Sequence, residues 1–384
     1  MKKILLFLIC LTIIPLGNVK SEELKFAENA KSAILIEAST GEIIFEKNSH
    51  EKLVPASMTK MMSMLLIVEN IEKGVIGWDD IVTVSENASS MGGSQILLET
   101  NEKMSVKDLF KGIAVASGND AVVAMAEKIA GTEEAFVSMM NNRAKELGLK
   151  DTSFKNPHGL DTANHYSSAY DMSLIAKELV KHEEVLKYTS IYEDYLRQNT
   201  NKEIWLVNTN KLVKFYDGVD GLKTGYTAEA GYCLTATAKK NGMRIIAVAM
   251  GEPDSKTRNA EITQMLDYAF AQYELETPLS TSSILGTKEV EKGKEKYVTI
   301  IPTENVNLLH KKIDEKKNFT YDLKIKNLVA PLKVGDIVGT IDVKDGNNIV
   351  KKVNVTVSKD IEKANILELY WSNLVDILSG DIGF

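Results

Sequence analysis

A serine and a lysine three residues apart, Ser57 and Lys60, are the first side chains in the sequence equipped for chemistry. They follow Pro55 at the start of a stretch, 57–73, with apolar residues at helical spacing, so both face one side of a helix. A serine hydroxyl is a weak nucleophile, and a lysine can serve as its base where burial or a neighbouring cation lowers the amine pKa. The pair predicts acyl transfer, although the same spacing is also typical of an ordinary helix start.

Two further motifs follow in an order that suits the same chemistry. Ser117-Gly118-Asn119 precedes a predicted helix over 118–130, where a helix N-cap is the plain alternative. Lys223-Thr224-Gly225 lies in a predicted strand over 221–227, where the glycine allows close backbone approach and an exposed strand-end lysine is the alternative. Together with the serine–lysine pair, these motifs predict one nucleophilic site.

The elements around these motifs predict an α+β fold. Predicted strands lie at both ends of a stretch of about 250 residues, and predicted helices lie between them. The sheet must therefore be assembled from the two ends of the domain. We place this domain at 22–276. The predicted elements are strands 32–37 and 42–46, helices 57–73 and 118–130, strands 221–227, 231–238 and 243–250, and a helix over 255–273.

The pattern of the sequence changes after the first domain. Short β-branched or alternating runs separated by turn-forming residues predict a small β-rich domain at 277–360, with strands at 298–301, 319–325, 337–343 and 353–357.

The sequence pattern of the C-terminal segment, 361–384, predicts an amphipathic helix, and we call this segment the tail. It carries Tyr370 and Trp371 among its apolar residues, which suits a membrane surface. Its acids outnumber its one lysine, so anionic lipids would repel it, and packing on the β-rich domain or on a partner protein is the alternative.

The first residues, 1–21, resemble a secretory signal peptide. Lys2 and Lys3 precede an apolar run, 4–16, that is too short for a stop-transfer helix, and an uncleaved anchor is the alternative. Cys10 lies beside Ile9 rather than a small residue, so lipidation is not expected. We expect an exported protein.

Composition excludes several classes of function. The 384 residues carry 46 basic and 53 acidic side chains, a net charge of -7, which gives no drive for nucleic-acid binding. Without 1–21, Cys233 is the only cysteine, so no intramolecular disulfide can form. The five histidines show no HExxH spacing, and neither a metal nor a cofactor is expected.

The three motifs resemble those of the penicillin-recognising serine acyl-transferases. Longer segments resemble the low-molecular-mass D-alanyl-D-alanine carboxypeptidases, from about residue 25 to the C-terminus. These segments are MGGSQ at 91–95, SGNDA at 117–121, NPHGLD at 156–161, HYSSA at 165–169 and DGLKTGYT at 220–227. The resemblance implies a β-lactamase/transpeptidase-like domain, an antiparallel sheet flanked by helices, followed by a small all-β domain and an amphipathic C-terminal helix.

The resemblance also implies a reaction. Ser57 would attack the carbonyl between the two terminal D-alanines of a peptidoglycan stem peptide, and Lys60 would accept its proton. Ser117 and Asn119 would relay the proton to the leaving amine and hold Lys60 and the substrate amide. Water would then hydrolyse the acyl-enzyme, and β-lactam antibiotics would be covalent inhibitors. The resemblance implies no cofactor and a place in the cell envelope, at the outer face of the cytoplasmic membrane.

The remaining roles concern the substrate carboxylate and the oxyanion. Lys223, Thr224 and an arginine downstream, which we place at Arg258, would bind the terminal carboxylate. The backbone N–H groups of Ser57 and Tyr226 would form the oxyanion hole, and Gly225 and Thr227 complete the substrate-binding strand.

Four alternatives stay open. A β-lactamase shares the motifs, but no Glu-x-x-Leu-Asn segment lies between Asn119 and Lys223, and the second domain argues against it. A DD-endopeptidase would use the same residues. A catalytically silent peptidoglycan-binding protein belongs to another class, although all motif residues are intact. A Ser-His-Asp triad through His158 or His165 lacks a G-x-S-x-G elbow.

Overall fold

The structure is a computed structural model that describes residues 25–314 and 318–379. The expected signal peptide, 1–21, lies outside these residues. The strands are β1 (Ser32–Glu37), β2 (Ile43–Lys47), β3 (Ile81–Thr83), β4 (Lys103–Ser105), β5 (Glu193–Leu196), β6 (Ile204–Val207), β7 (Val219–Thr227), β8 (Gly231–Lys240), β9 (Met243–Glu252), β10 (Tyr273–Leu279), β11 (Gly286–Glu291), β12 (Tyr297–Pro302), β13 (Val306–Lys311), β14 (Phe319–Ile325), β15 (Leu328–Val329), β16 (Gly339–Asp345) and β17 (Asn348–Val357).

The helices lie mainly between β2 and β7. They are α1 (Lys60–Glu72), α2 (Glu86–Ser89), α3 (Val106–Ala116), α4 (Asn119–Ala130), α5 (Glu133–Glu146), α6 (Ala169–Leu179), α7 (Glu183–Thr189), α8 (Leu212–Phe215), α9 (Ser255–Gln272) and α10 (Ile366–Ser379).

One antiparallel sheet of five strands, in the order β2-β1-β9-β8-β7, organises the first domain. Strand β1 comes from the beginning of the domain and pairs with β9 from its end, with Ile34 opposite Val248. The α+β prediction, with a sheet assembled from both ends of the domain, is therefore confirmed. The motif-bearing strand β7 is the outermost strand on the far side.

Both faces of this sheet are covered, and strand periodicity decides which side chain enters which core. On β1, Ile34 and Ile36 join the large core formed with the helices between β2 and β7. Ala33 and Leu35 point the other way and join a second core beneath α9. Because β1 is buried on both faces, its sequence reads as a continuous apolar run rather than an alternating one.

The β-rich domain is built on a sheet in the order β14-β16-β17-β12-β11-β15, with its own apolar core. A separate two-stranded pair, β10 with β13, joins the end of α9 to this domain. The division that we expected between 276 and 277 falls inside β10. An earlier division, after Gln272, leaves this strand whole.

The tail helix begins later than expected from the sequence. The chain from 361 was expected to be helical, but Ile361 pairs with Leu332 and is 2% exposed in the core of the β-rich domain. Helix α10 starts at Ile366, after Asn365 and Glu368 exchange backbone-to-side-chain hydrogen bonds of 2.7 and 2.9 Å as a capping box. Of the helices in the part of the chain that the structure describes, none has the length and apolar character needed to cross a membrane.

Candidate active site

The serine and lysine of the first motif meet at the junction of two helical segments. Ser57 lies in a 3-10 turn, Ala56–Thr59, and α1 begins at Lys60. Lys60 Nζ lies 3.0 Å from Ser57 Oγ, as the three-residue spacing predicts. The Ser57 side chain is partly exposed, whereas Lys60 is completely buried. The reactive hydroxyl is therefore accessible from solvent while its partner amine lies beneath it. We call the region around this hydroxyl, between β7 and the helices that carry the first two motifs, the cleft.

Two carbonyl oxygens hold the Lys60 amine in place. Nζ donates to Asn119 Oδ1 at 2.6 Å and to the His158 backbone oxygen at 2.8 Å. Burial, and then the positive charge of Lys223, hold the pKa of Lys60 well below its usual range, while Asp120 acts in the opposite direction. When the amine is neutral, its two N–H groups donate to these carbonyl oxygens, and its lone pair can accept the Ser57 hydroxyl proton. This is the geometry of a general base.

The second motif joins two helices. Ser117 ends α3 in the left-handed region with φ 63°, and Asn119 is the first residue of α4. The N-cap alternative is wrong, because the N-cap residue is Gly118 and no side chain caps α4. Ser117 Oγ is buried and has no hydrogen-bond partner within 25–314 and 318–379. This hydroxyl is therefore available to exchange a proton or to hydrogen-bond a substrate.

A loop over 91–98 supports this motif from the other side. Asn119 donates its side-chain N–H to the Gly92 backbone oxygen at 2.7 Å, and its backbone N–H to the Ser94 oxygen at 2.7 Å. The buried Asp120 carboxylate accepts the backbone N–H groups of Ile96, at 3.1 Å, and Leu98, at 3.0 Å. Asp120 was not among the predicted site residues, although its position next to Asn119 in a helix's first turn was a usable signal.

The third motif brings strand β7 against the nucleophile. A Cβ built on Gly225 would lie 2.7 Å from the Pro55 oxygen and 3.2 Å from the Ser57 nitrogen. Only glycine permits this approach, as its position in the strand indicated. Thr224 Oγ1 donates to Thr209 Oγ1 at 2.7 Å. Thr209 is a further cleft residue that sequence reasoning missed, since it lies in a loop with no recognisable motif.

Two buried cations lie near each other at this end of the cleft. Lys223 is 1% exposed and Arg258, in the first turns of α9, is 4% exposed. Burial, and then the charge of Arg258, lower the pKa of Lys223 to about 7. Their hydrogen bonds go to neutral groups: Lys223 donates to the Thr224 oxygen, and Arg258 donates to Asn259 and to the Cys233 oxygen. Among the described residues neither cation has a carboxylate partner, so the pair suits an incoming anion.

The last two predicted residues of β7 lie past the nucleophile. Tyr226 is 57% exposed, and its ring packs on that of Tyr232 with a centroid distance of 4.3 Å. Thr227 Oγ1 accepts the backbone N–H of Ala230 at 3.0 Å and shapes the turn into β8.

The two histidines considered for a triad have other partners. His165 Nδ1 accepts the Lys155 N–H at 3.0 Å, so Nε2 donates to Thr59 Oγ1 at 2.8 Å. Burial lowers the pKa of His165 to about 4. His158 Nδ1 accepts the Leu160 N–H at 3.1 Å, and only the His158 backbone oxygen enters the site. Neither imidazole bonds to Ser57, so the triad alternative is wrong.

One group of acidic and histidine side chains has metal-ligand spacing. Ligand atoms of Glu69, Glu178 and His182 lie within 4.8 Å of one another. Arg143 Nη2 already bridges both carboxylates, at 2.7 Å to Glu69 and 3.2 Å to Glu178. Lys73 also lies 4.0 Å from Glu69 and Lys181 2.6 Å from Glu178, so cations already balance both carboxylates. This is a structural ion network rather than a metal centre.

Comparison with known proteins decides the family. Residues 18–254 match the family described as D-alanyl-D-alanine carboxypeptidase. The chain belongs to this family. Residues 273–363 match a second family, the C-terminal domain of penicillin-binding protein 5.

Relatives cover almost the whole chain. The D-alanyl-D-alanine carboxypeptidase DacF of Bacillus subtilis is 50% identical over 368 residues, 95% of each chain. DacC of Escherichia coli, with the same enzyme name, is 34% identical over 89% of this chain and 87% of its own. Among solved structures, penicillin binding protein 5 from Haemophilus influenzae superposes with a TM-score of 0.72 at 32% identity, covering 89% of this chain and 99% of that one. The predicted family and its two-domain fold are confirmed.

Proposed function

We propose that this chain is a serine-type D-alanyl-D-alanine carboxypeptidase that works through Ser57. Family membership establishes the class of reaction. The observation that carries the residue assignment is the buried Lys60 amine, 3.0 Å from Ser57 Oγ and fixed by Asn119 and the His158 oxygen. The substrate is a peptidoglycan stem peptide that ends in D-Ala-D-Ala, and β-lactams bind the same site.

The proposed reaction has two halves. Ser57 Oγ attacks the carbonyl of the penultimate D-alanine while its proton passes to neutral Lys60 Nζ. The C–N bond then breaks while Lys60 returns this proton, through Ser117, to the leaving amine, and an ester remains on Ser57. Water cleaves this ester: Lys60 accepts a proton from the attacking water and returns it to Ser57 Oγ, which leaves as the free hydroxyl. The backbone N–H groups of Ser57 and Tyr226 stabilise the oxyanion, a contribution of about 3 kcal/mol per donor.

The cation pair defines the end of the substrate. Lys223 and Arg258 hold the terminal carboxylate, with Thr224 beside them, and this explains how an acidic protein binds an anionic peptide end. Because the carboxylate binds next to the scissile bond, the enzyme removes a single residue. A DD-endopeptidase activity uses the same catalytic residues and differs in the acceptor that the cleft admits.

Mass spectrometry on a pentapeptide ending in D-Ala-D-Ala tests this proposal. We expect the purified protein to remove one alanine and the Ser57→Ala variant to remove none. Ser138→Ala, an exposed serine on α5, is the matched control and should behave as the wild type. Faster cleavage of a cross-linked dimer than of the pentapeptide would favour the endopeptidase instead. No cleavage of either peptide would support the silent binding protein.

We also propose an extracytoplasmic protein with its catalytic domain at 22–272, its β-rich domain from 273, and α10 docked on a membrane surface. Family members act on the cell wall, which supports this location. Apolar side chains of α10 are exposed, Ile366 by 85%, Trp371 by 61% and Leu378 by 78%, so α10 does not bury them on the β-rich domain. The overall acidity of the chain gives no support for nucleic-acid binding.

Sedimentation with vesicles tests the tail. The full mature chain should pellet with neutral phosphatidylcholine vesicles, and a chain ending at Ala364, which keeps the Ile361–Leu332 pairing, should not. Binding should weaken with anionic vesicles because the tail is acidic. If both chains stay in the supernatant with both lipids, the helix has another partner.

A further inference from the structure

The loop over 91–98, which holds Asn119, is itself held by a residue that lies outside the three motifs. Arg197 follows β5, in the turn that leads to β6. Its Nη1 donates to the Ile96 backbone oxygen at 3.0 Å, and its Nη2 donates to the Leu97 backbone oxygen at 3.1 Å. These two hydrogen bonds join the β5–β6 hairpin to the loop.

Asp120 holds the same segment from its other side. Its carboxylate accepts the backbone N–H groups of Ile96 and Leu98. Arg197 therefore binds the segment by its carbonyl oxygens, and Asp120 binds it by its N–H groups. Leu97, in the middle, has φ 57°, in the left-handed region that a leucine rarely adopts. Such a conformation persists only where the surrounding contacts determine it, and here those contacts come from both sides.

Glu102 fixes the guanidinium in place. Its two carboxylate oxygens accept Nε of Arg197 at 2.6 Å and Nη2 at 3.0 Å, which is bidentate pairing. The arginine side chain is 11% exposed and the glutamate side chain 15% exposed, so water screens this pair only weakly. Burial acts to raise the pKa of Glu102, but the hydrogen bonds from Arg197 and from the Glu99 backbone outweigh burial and hold this pKa below its ordinary value.

The hairpin that carries Arg197 is fixed to the helix that leads into the second motif. Lys111, on α3, donates to Asp194 Oδ2 at 2.9 Å and to the Tyr195 backbone oxygen at 3.2 Å. Helix α3 ends directly before Ser117. Arg197 therefore holds the loop against a support that is part of the same structural unit as the motif.

The contacts of the loop extend to the general base. Asn119 donates its side-chain N–H to the Gly92 oxygen and its backbone N–H to the Ser94 oxygen, and its own Oδ1 accepts Lys60 Nζ at 2.6 Å. A Cβ built on Gly93 would lie 2.7 Å from Asn119 Nδ2, so the loop packs closely on this side chain. A displacement of the loop therefore moves Asn119 and withdraws one of the two carbonyl oxygens that orient Lys60.

We infer that Arg197 is a positioning residue for acylation. Paired with Glu102, it holds the loop over 91–98 in place. Through this loop it keeps the Asn119 side-chain oxygen against the Lys60 amine. The inference rests on the proposed function, because it needs Lys60 as the general base. It goes beyond that function by giving a catalytic consequence to an ion pair outside all three motifs.

Stopped-flow acylation of the full mature protein by a fluorescent penicillin tests this inference. The rate constant at saturating penicillin does not depend on how much of the enzyme is folded, so a loss of folded protein alone leaves it unchanged. In Arg197→Ala we expect this rate constant to fall by about 10-fold, less than the roughly 10² of a misplacement of about 1 Å, because Asp120 still holds the other side of the loop. The penicillin concentration that gives half of the maximal rate should change by less than about twofold, because Lys223 and Arg258 keep their contacts.

Arg197→Lys separates the ion pair from the bonds to the loop. The lysine keeps a cation beside Glu102 but cannot also reach both backbone oxygens, so this variant should be slowed as well. Arg143→Ala is the matched control, because Arg143 also bridges two carboxylates, on Glu69 and Glu178, and its side chain is 21% exposed. It should be acylated at the wild-type rate, since its ion network joins α1, α5 and α6 rather than the loop.

A double-mutant cycle with Asn119 shows whether the effect passes through the loop. In an Asn119→Ala background, Arg197→Ala should slow acylation little further, because the side chain that it positions is already absent. Two results would overturn the inference: wild-type rate constants for both Arg197 variants, or the same degree of slowing with and without Asn119. If the wild-type protein is not acylated on Ser57, or releases no alanine from the pentapeptide, the proposed function itself fails instead.

Discussion

The close contact between Gly225 and the turn that carries Ser57 gives a quantitative prediction for Gly225→Ala. The new methyl group would lie 2.7 Å from the Pro55 oxygen and 3.1 Å from the Ala56 Cβ, whereas ordinary contacts begin at 3.4 Å. The distance to the Pro55 oxygen is 0.7 Å shorter than an ordinary contact, and this oxygen is a backbone atom that no rotamer change can move. Strand β7 or the turn that carries Ser57 must therefore shift by several tenths of an ångström.

That shift separates the two groups that we assign to the oxyanion hole, the N–H groups of Ser57 and Tyr226. Loss of one oxyanion donor costs about 10²–10³ in rate, and a misplacement of about 1 Å costs about 10². We expect the second-order rate constant for acylation by a fluorescent penicillin to fall by about 10²-fold. Overpacking should also lower the free energy of unfolding by about 1–3 kcal/mol.

Gly77→Ala provides the matched control. A Cβ at Gly77 meets nothing closer than Asp80 Oδ1 at 3.5 Å, an ordinary contact, so acylation should proceed at the wild-type rate. Stopped-flow fluorescence gives the rate constant, and thermal unfolding separates a local effect from loss of the fold. A Gly225→Ala variant that is folded and acylates as fast as the wild type would refute the reasoning about this contact.

Three further predictions concern buried charges. Lys60→Ala should slow benzylpenicillin acylation by about 10²–10⁴, the usual range for a lost general base, and an unchanged rate would remove Lys60 from that role. Because the pKa of Lys223 is lowered to about 7, the free enzyme loses this positive charge as the pH rises through that value. The KM for a peptide that ends in a carboxylate should therefore rise above about pH 7, and Lys223→Gln should make KM less dependent on pH. Burial, and then Glu261, raise the pKa of Glu252 to about 8, so the unfolded chain releases this proton at a lower pH than the folded chain. The stability that protonated Glu252 contributes is therefore complete below about pH 4 and is lost as the pH rises to about 8. Thermal unfolding of Glu252→Gln should show a smaller loss of stability over that range.

The elements that carry the three motifs were predictable because each has a local signal. Apolar residues at helical spacing marked α1 and α4, and β-branched runs marked β1 and β7 to β9. Spacing alone placed Lys60 beside Ser57. The distant partners had no such signal, since the Gly92 and His158 carbonyl oxygens are backbone atoms whose residue type does not reveal their role.

The errors at element ends have physical causes. The tail was expected to be helical from 361, but Ile361 enters the β-rich core and the capping box at Asn365 starts the helix instead. Strand β10 was missed because its sequence, YELETPL, is rich in acids and contains a proline. Its pairing with β13 gives it a strand structure that its own composition does not favour.

In the proposed reaction one serine, activated by one buried lysine, forms the covalent intermediate. Peptide mapping by mass spectrometry after reaction with benzylpenicillin identifies this serine, because the drug stays attached to the nucleophile. We expect a single adduct, on the peptide that contains Ser57, and none in Ser57→Ala. An adduct on Ser117, or no adduct on the folded protein, would contradict the assignment of Ser57 as the nucleophile.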